Sequence, residues 1–159
     1  MQRLKDRVFN SDPSAKYEAA TSLLEAKKVG HPLDAISKSE HRFPHQQVRD
    51  YLSNATDQSG RPYFRWGILT NGNCWRLYCR DARPDAYFEF RLAGPKTNFC
   101  HFDEFKSFMA LFSSSVFVET DGICLLDQIR QESLQFQAEL EESIRRRVAV
   151  VVKDLANGF

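Results

Sequence analysis

Phe64-Arg65-Trp66-Gly67-Ile68-Leu69-Thr70 and Asn73-Cys74-Trp75-Arg76-Leu77-Tyr78-Cys79 flank Asn71-Gly72, and this stretch decides the fold class. Both runs are strand-like. Asn-Gly is the preferred pair for a two-residue type I′ hairpin. Along the first run Trp66 and Ile68 fall on one face and Leu69 on the other, so both faces carry apolar side chains. A strand that is apolar on both sides belongs to a sheet covered on both sides, as in three-layer α/β folds. A third strand fits Ala86 to Leu92, with Tyr87, Phe88 and Phe90.

Helices are expected around this hairpin. Pro44 to Ala55 reads as one, with Pro44 in the first turn, where a missing amide costs nothing. Val48, Tyr51, Leu52 and Ala55 recur at i, i+3, i+4, i+7 and predict one apolar stripe. Gln47 projects from the same side, and an amide at the edge of a buried stripe needs partners. Phe102 to Phe112 is helical, with Phe102, Phe105, Met109 and Phe112 expected on its core stripe. From about Ile123 nearly to Gly158 the chain reads as one helix. Ile129, Leu140, Ile144, Val148, Val151 and Leu155 recur at helical spacing, and Glu141–Arg145 and Glu142–Arg146 form i,i+4 pairs. Some 35 residues at 1.5 Å each give about 50 Å, longer than a domain of this size is wide. Upstream, Thr21 to Lys27 has the length of a strand with a polar end. Asn10 to Ser14 reads as a turn, and His31-Pro32-Leu33-Asp34 as the start of a short helix.

Composition narrows the function classes. The chain has 159 residues, of which 42% are hydrophobic and 13 are Phe, so intrinsic disorder is excluded. Its 22 Lys and Arg against 21 Asp and Glu leave a formal charge of +1, so a nucleic-acid function would have to rest on a local site. No apolar run is long enough to span a membrane. The charged start, Met1 to Arg7, predicts no secretory signal. Cys74, Cys79, Cys100 and Cys124 match no zinc spacing and are expected as reduced thiols in a cytoplasmic protein. There is no glycine-rich phosphate loop, so nothing supports ATP use. Arg145-Arg146-Arg147 reads as a solvated helix face, and His31, His41 and His45 read as loop residues.

Glu25-Ala26-Lys27 is the candidate for chemistry. On a strand, residues two apart share a face, so a carboxylate and an ammonium stand side by side. With a second acid, such a pair can hold Mg²⁺ and orient a water against a phosphodiester. The lysine then polarises the water or steadies the phosphate.

The order Leu23-Leu24-Glu25-Ala26-Lys27, then Gln47-Val48-Arg49-Asp50-Tyr51, then Trp66-Gly67-Ile68-Leu69-Thr70-Asn71-Gly72 resembles the PD-(D/E)XK nuclease domain of restriction enzymes. It is most similar to the N-terminal domain of type IIG restriction-modification proteins, and more distantly to the nuclease domain of type I restriction subunits. The resemblance covers roughly residues 21–158. It implies an α/β fold, a restriction-endonuclease-like mixed sheet flanked by helices with a long C-terminal helix. Residues 1–120 would form the nuclease-like core and 121–159 the connector helix. It further implies Mg²⁺-dependent hydrolysis of double-stranded DNA in a prokaryotic cytoplasm, with Mn²⁺ able to substitute. Adenine methyltransferase and target-recognition domains would be covalent or associated partners. Glu25 and the Ala26 carbonyl would bind the metal, Lys27 would be the catalytic lysine, and Gln47 would complete the site from the helix. The family's upstream aspartate has no Pro-Asp counterpart here. Asp12, in the reversed order Asp12-Pro13, is the candidate for both the catalytic and the metal-binding role. A competing reading keeps the fold without an intact metal site, as a DNA-binding or assembly module.

Overall fold

The structure is a computed structural model that describes residues 20–36, 41–93 and 100–157. Asp12, and the turn expected at residues 10–14, lie outside the described residues. The chain divides into two compact units, Met1–Phe117 and Val118–Phe159.

The first unit is built on a four-stranded mixed sheet in the order β1-β2-β3-β4. Its strands are β1 (Leu23–Ala26), β2 (Trp66–Thr70), β3 (Cys74–Cys79) and β4 (Phe88–Arg91). β2, β3 and β4 form an antiparallel meander, and β1 joins it parallel to β2. A parallel neighbour requires a crossover, and helix α1 (Pro44–Asn54) lies within it. Gln46 accepts the Phe43 amide through its side chain at 3.1 Å and closes the start of α1 beside Pro44. No regular helix forms at His31–Asp34, where the chain makes a turn.

The hairpin forms where the sequence places it, but with a different turn. Asn71 has a negative φ and precedes the turn; Gly72, at φ +87°, is its first central residue. A positive φ at that position alone is the pattern of a type II′ turn, not I′. The cause is the Asn71 side chain. Its Oδ1 accepts the amides of Asn73 and Cys74, and its Nδ2 donates to the His31 carbonyl at 2.8 Å. Asn71 thus ties the hairpin to the loop that follows β1.

Both faces of the sheet are covered. Residues opposite one another in a ladder point to the same face, so Glu25, Leu69, Arg76 and Glu89 form one row across the four strands. Leu23, Gly67 and Tyr78 form the next row on that face. Here α1 buries Val48 and Leu52 against Leu69, Phe64 and Tyr78. On the other face Trp75 and Phe90 meet helix α2 (Phe102–Phe112), with Trp75 edge-on to Phe108 and Phe112. The α2 stripe differs from expectation: Phe108 is buried, while Phe102 and Met109 are exposed. Trp75 explains the rotation, because its ring takes Phe108 and Phe112 as edge-to-face partners. Phe102 instead sits beneath the Lys106 ammonium.

In α1, Gln47 is 1% exposed, whereas Tyr51 is 40% exposed. The amide therefore occupies the buried stripe where the apolar spacing predicts the tyrosine. Gly67 explains how closely α1 sits. A Cβ there would lie 2.8 Å from Val48 Cγ1 and 3.2 Å from Leu52 Cδ1, so the helix rests on bare backbone. Gly67→Ala should lower stability by about 1–3 kcal/mol, because Val48 is stiff and cannot swing away. Denaturant unfolding checks this; an unchanged midpoint would show that α1 can lift without loss.

The second unit contains helix α3 (Leu125–Asn157), preceded by the Thr120↔Ile123 bridge around Asp121 and Gly122. Asp127 is buried, and its Oδ2 accepts the Cys124 amide at the start of the helix. Among the described residues no helix is long and apolar enough to cross a membrane.

Candidate active site

Lys27 follows the last residue of β1. Its amide donates to the Thr70 carbonyl at 2.7 Å, which carries the parallel ladder one step past the strand. Glu25 and Lys27 therefore share the α1-covered face. Lys27 Nζ lies 2.9 Å from Glu25 Oε1, and the same ammonium donates a hydrogen bond to Gln47 Oε1. The side chains of Lys27 and Glu25 are 12% and 22% exposed. Three of the residues singled out by sequence thus converge, from a strand end and from a helix 20 residues further on.

Each position has a local cause. β1 keeps Glu25 and Lys27 on one side through strand alternation. α1 brings in Gln47 because Val48, its neighbour on the buried stripe, is seated on Gly67. A buried amide oxygen without a donor would cost about 1–3 kcal/mol, and the Lys27 ammonium supplies that donor. Ala26 is exposed at the strand end. The carboxylate oxygens of Glu25 and a backbone carbonyl are the hard donors that Mg²⁺ prefers. Among the described residues no three His, Cys, Asp or Glu side chains are grouped to hold a metal ion. The second acid assigned from sequence, Asp12, lies outside them.

All four cysteines are free, and burial pushes the Cys74 thiol up to about 11, which keeps it protonated.

Arg76 was not marked by the sequence as a site residue, although a charged residue in the middle of an apolar strand is the signal that could have found it. It is 3% exposed and grips Asp34 through two bonds of 2.7 and 2.8 Å. Its Nε donates to Glu89 at 2.7 Å, and Arg91 holds the other oxygen of Glu89. Arg76 also lies 4.5 Å from the ring centre of Tyr87. It stands in the same row as Glu25, two strand spacings or about 10 Å away across Leu69. The Asp34 bond anchors the loop after Lys27 to β3, so Arg76 acts as a positioning residue. Its charge is already matched by two carboxylates.

Comparison of the chain with models of known protein families, with curated proteins and with solved structures finds no match.

The Arg76 network has a defined pH signature. Hydrogen bonding to Arg76 lowers the Asp34 carboxyl. Burial raises Glu89, but the hydrogen bonds from Arg76, Cys74 and Arg91 outweigh it and leave that carboxyl lowered. Carboxylates lowered on folding stabilise fully above their unfolded values, and that contribution is lost as pH falls through the folded ones. Burial lowers His45, so acid below its usual value opposes folding in the same direction. Arg76→Met should cost about 1–3 kcal/mol at neutral pH, because Glu89 keeps only Arg91 and Asp34 loses its tie to β3. The gap to wild type should narrow as pH falls below about 4. Denaturant titrations across that range measure it, and a constant gap would reduce the role of Arg76 to packing.

Proposed function

We propose that this chain carries the nuclease domain of a restriction-modification system and hydrolyses phosphodiester bonds in double-stranded DNA with Mg²⁺, or Mn²⁺ in its place. One observation carries the reading: Lys27 bridges Glu25 on β1 and the buried Gln47 on α1. An exposed strand-end ion pair would not need a helix to deliver a buried amide to the same ammonium.

Glu25 and the Ala26 carbonyl are the described groups suited to hold the metal, and Asp12 is the proposed second acid. The ion, when bound, supplies Lewis-acid activation of a water and offsets charge on the phosphate. The protein's own groups do the rest. Lys27 carries a fixed positive charge where the phosphate gains negative charge, and pre-organised charge in a site shielded from water lowers the barrier. Gln47 fixes the Lys27 ammonium, so little reorientation is needed when substrate arrives. Glu25 balances the lysine and keeps its charge at the strand end. The near-neutral overall charge, +1, suits a domain whose grip on DNA comes mostly from partner domains. Target-recognition and adenine methyltransferase domains, in a prokaryotic cytoplasm, are the partners proposed.

The test is nicking of supercoiled plasmid by wild type, Lys27→Ala and Gln47→Ala prepared identically. Wild type with Mg²⁺ or Mn²⁺ should nick. Lys27→Ala should lose at least about 100-fold in rate, the scale of one removed electrostatic group. Gln47→Ala should lose less, through positioning alone. Equal cleavage by all three would assign the activity to a contaminant and defeat the proposal. A folded wild type that does not nick and binds no Mn²⁺ would favour a non-catalytic assembly module.

A further inference from the structure

The second unit presents a feature that phosphodiester hydrolysis does not use. From 131 to 153 every residue of α3 is exposed except the half-buried Ser143. Ile129, Leu140 and Val151 recur every 11 residues, three helical turns plus about 20°, and so stay on one side. Phe136, Ile144 and Val148 fill the same stripe, and each is more than half exposed. An apolar stripe of this length on a solvated helix marks an interaction surface.

The charge sequence says which partner fits. Residues 131–142 hold four acids, Glu132, Glu139, Glu141 and Glu142, and no Lys or Arg. Residues 145–153 hold four bases, Arg145, Arg146, Arg147 and Lys153, and no acid. Residues 131–153 are thus an acidic block followed by a basic block. Laid antiparallel on a second copy of itself, each acidic block runs beside a basic one. Laid parallel in register, acidic block meets acidic block and basic meets basic.

We propose that α3 pairs with α3 of a second copy of this chain in an antiparallel arrangement centred on Ile144. This register sets Leu140 opposite Val148, and it brings Ile144 against its own counterpart. The contact is isologous, as a two-fold dimer requires. Burial of the stripe supplies the affinity, and the charge blocks select direction and register. The inference is independent of nuclease activity.

Sedimentation equilibrium of the full chain at low salt tests it, with circular dichroism confirming that each variant keeps its helix. Wild type should be a dimer whose dissociation constant rises with salt, because the flanking charges are screened. Ile144→Asp should weaken it at least about tenfold. The triple change Arg145→Glu, Arg146→Glu and Arg147→Glu should also weaken it. Adding Glu139→Lys, Glu141→Lys and Glu142→Lys to that triple variant should restore the dimer by exchanging the two blocks. A wild type that stays monomeric would overturn the proposal and assign the stripe to a different protein. A dimer indifferent to Ile144→Asp would place the interface elsewhere. Loss on the triple change without restoration would refute the antiparallel register.

Discussion

The seat of α1 on Gly67 is the constraint from which the first unit is built. Only a residue without a Cβ lets Val48 and Leu52 come down onto the backbone of β2. Leu23 of β1 is the ladder partner of that same glycine. Helix and edge strand are thus referenced to one position on a central strand. The distance between Lys27 and Gln47 follows from that shared reference. A helix set further out by one methyl group would carry its amide away from the strand end, and the ammonium would lose the partner that orients it.

A second fixed point holds the connection between these elements. Arg76 is nearly inaccessible, and two carboxylates match it, one from the loop after β1 and one from β4. Removing a partner from a buried charge costs far more than an exposed ion pair contributes. The loop therefore cannot drift without exposing a mismatch. Asn71 adds a second tie to the same loop through the His31 carbonyl. Together these contacts brace the loop by which the chain leaves β1.

Much of this was legible in the residues. The β2–β3 hairpin, β4, α1, α2 and α3 fall where periodicity and turn residues place them, and a sheet covered on both faces follows from Trp66, Ile68 and Leu69. What was not legible depends on tertiary partners. The turn type changed because the Asn71 side chain reaches a loop 40 residues earlier, which no local preference encodes. Phe108 replaced Phe102 and Met109 in the core because Trp75 fixes the rotation of α2. Gln47 displaced Tyr51 from the buried stripe because an ammonium on another element satisfies it. In the candidate site, Glu25, Lys27 and Gln47 could be named from pattern, whereas the buried charge of Arg76 had meaning only once Asp34 and Glu89 were beside it.

The parallel pairing of β1 also bears on the order of assembly. β2, β3 and β4 are joined through short connections and make mostly local contacts, which close quickly. β1 must close a far longer loop, since Glu25 pairs with Leu69 across the whole crossover that contains α1. Loop-closure entropy then makes its docking a late event. The Glu25–Lys27–Gln47 group does not exist until that last strand arrives, so the meander can be native while the site is still absent. Local opening runs the same way in reverse: the strand end that carries Glu25 and Lys27 belongs to the part of the sheet that detaches first.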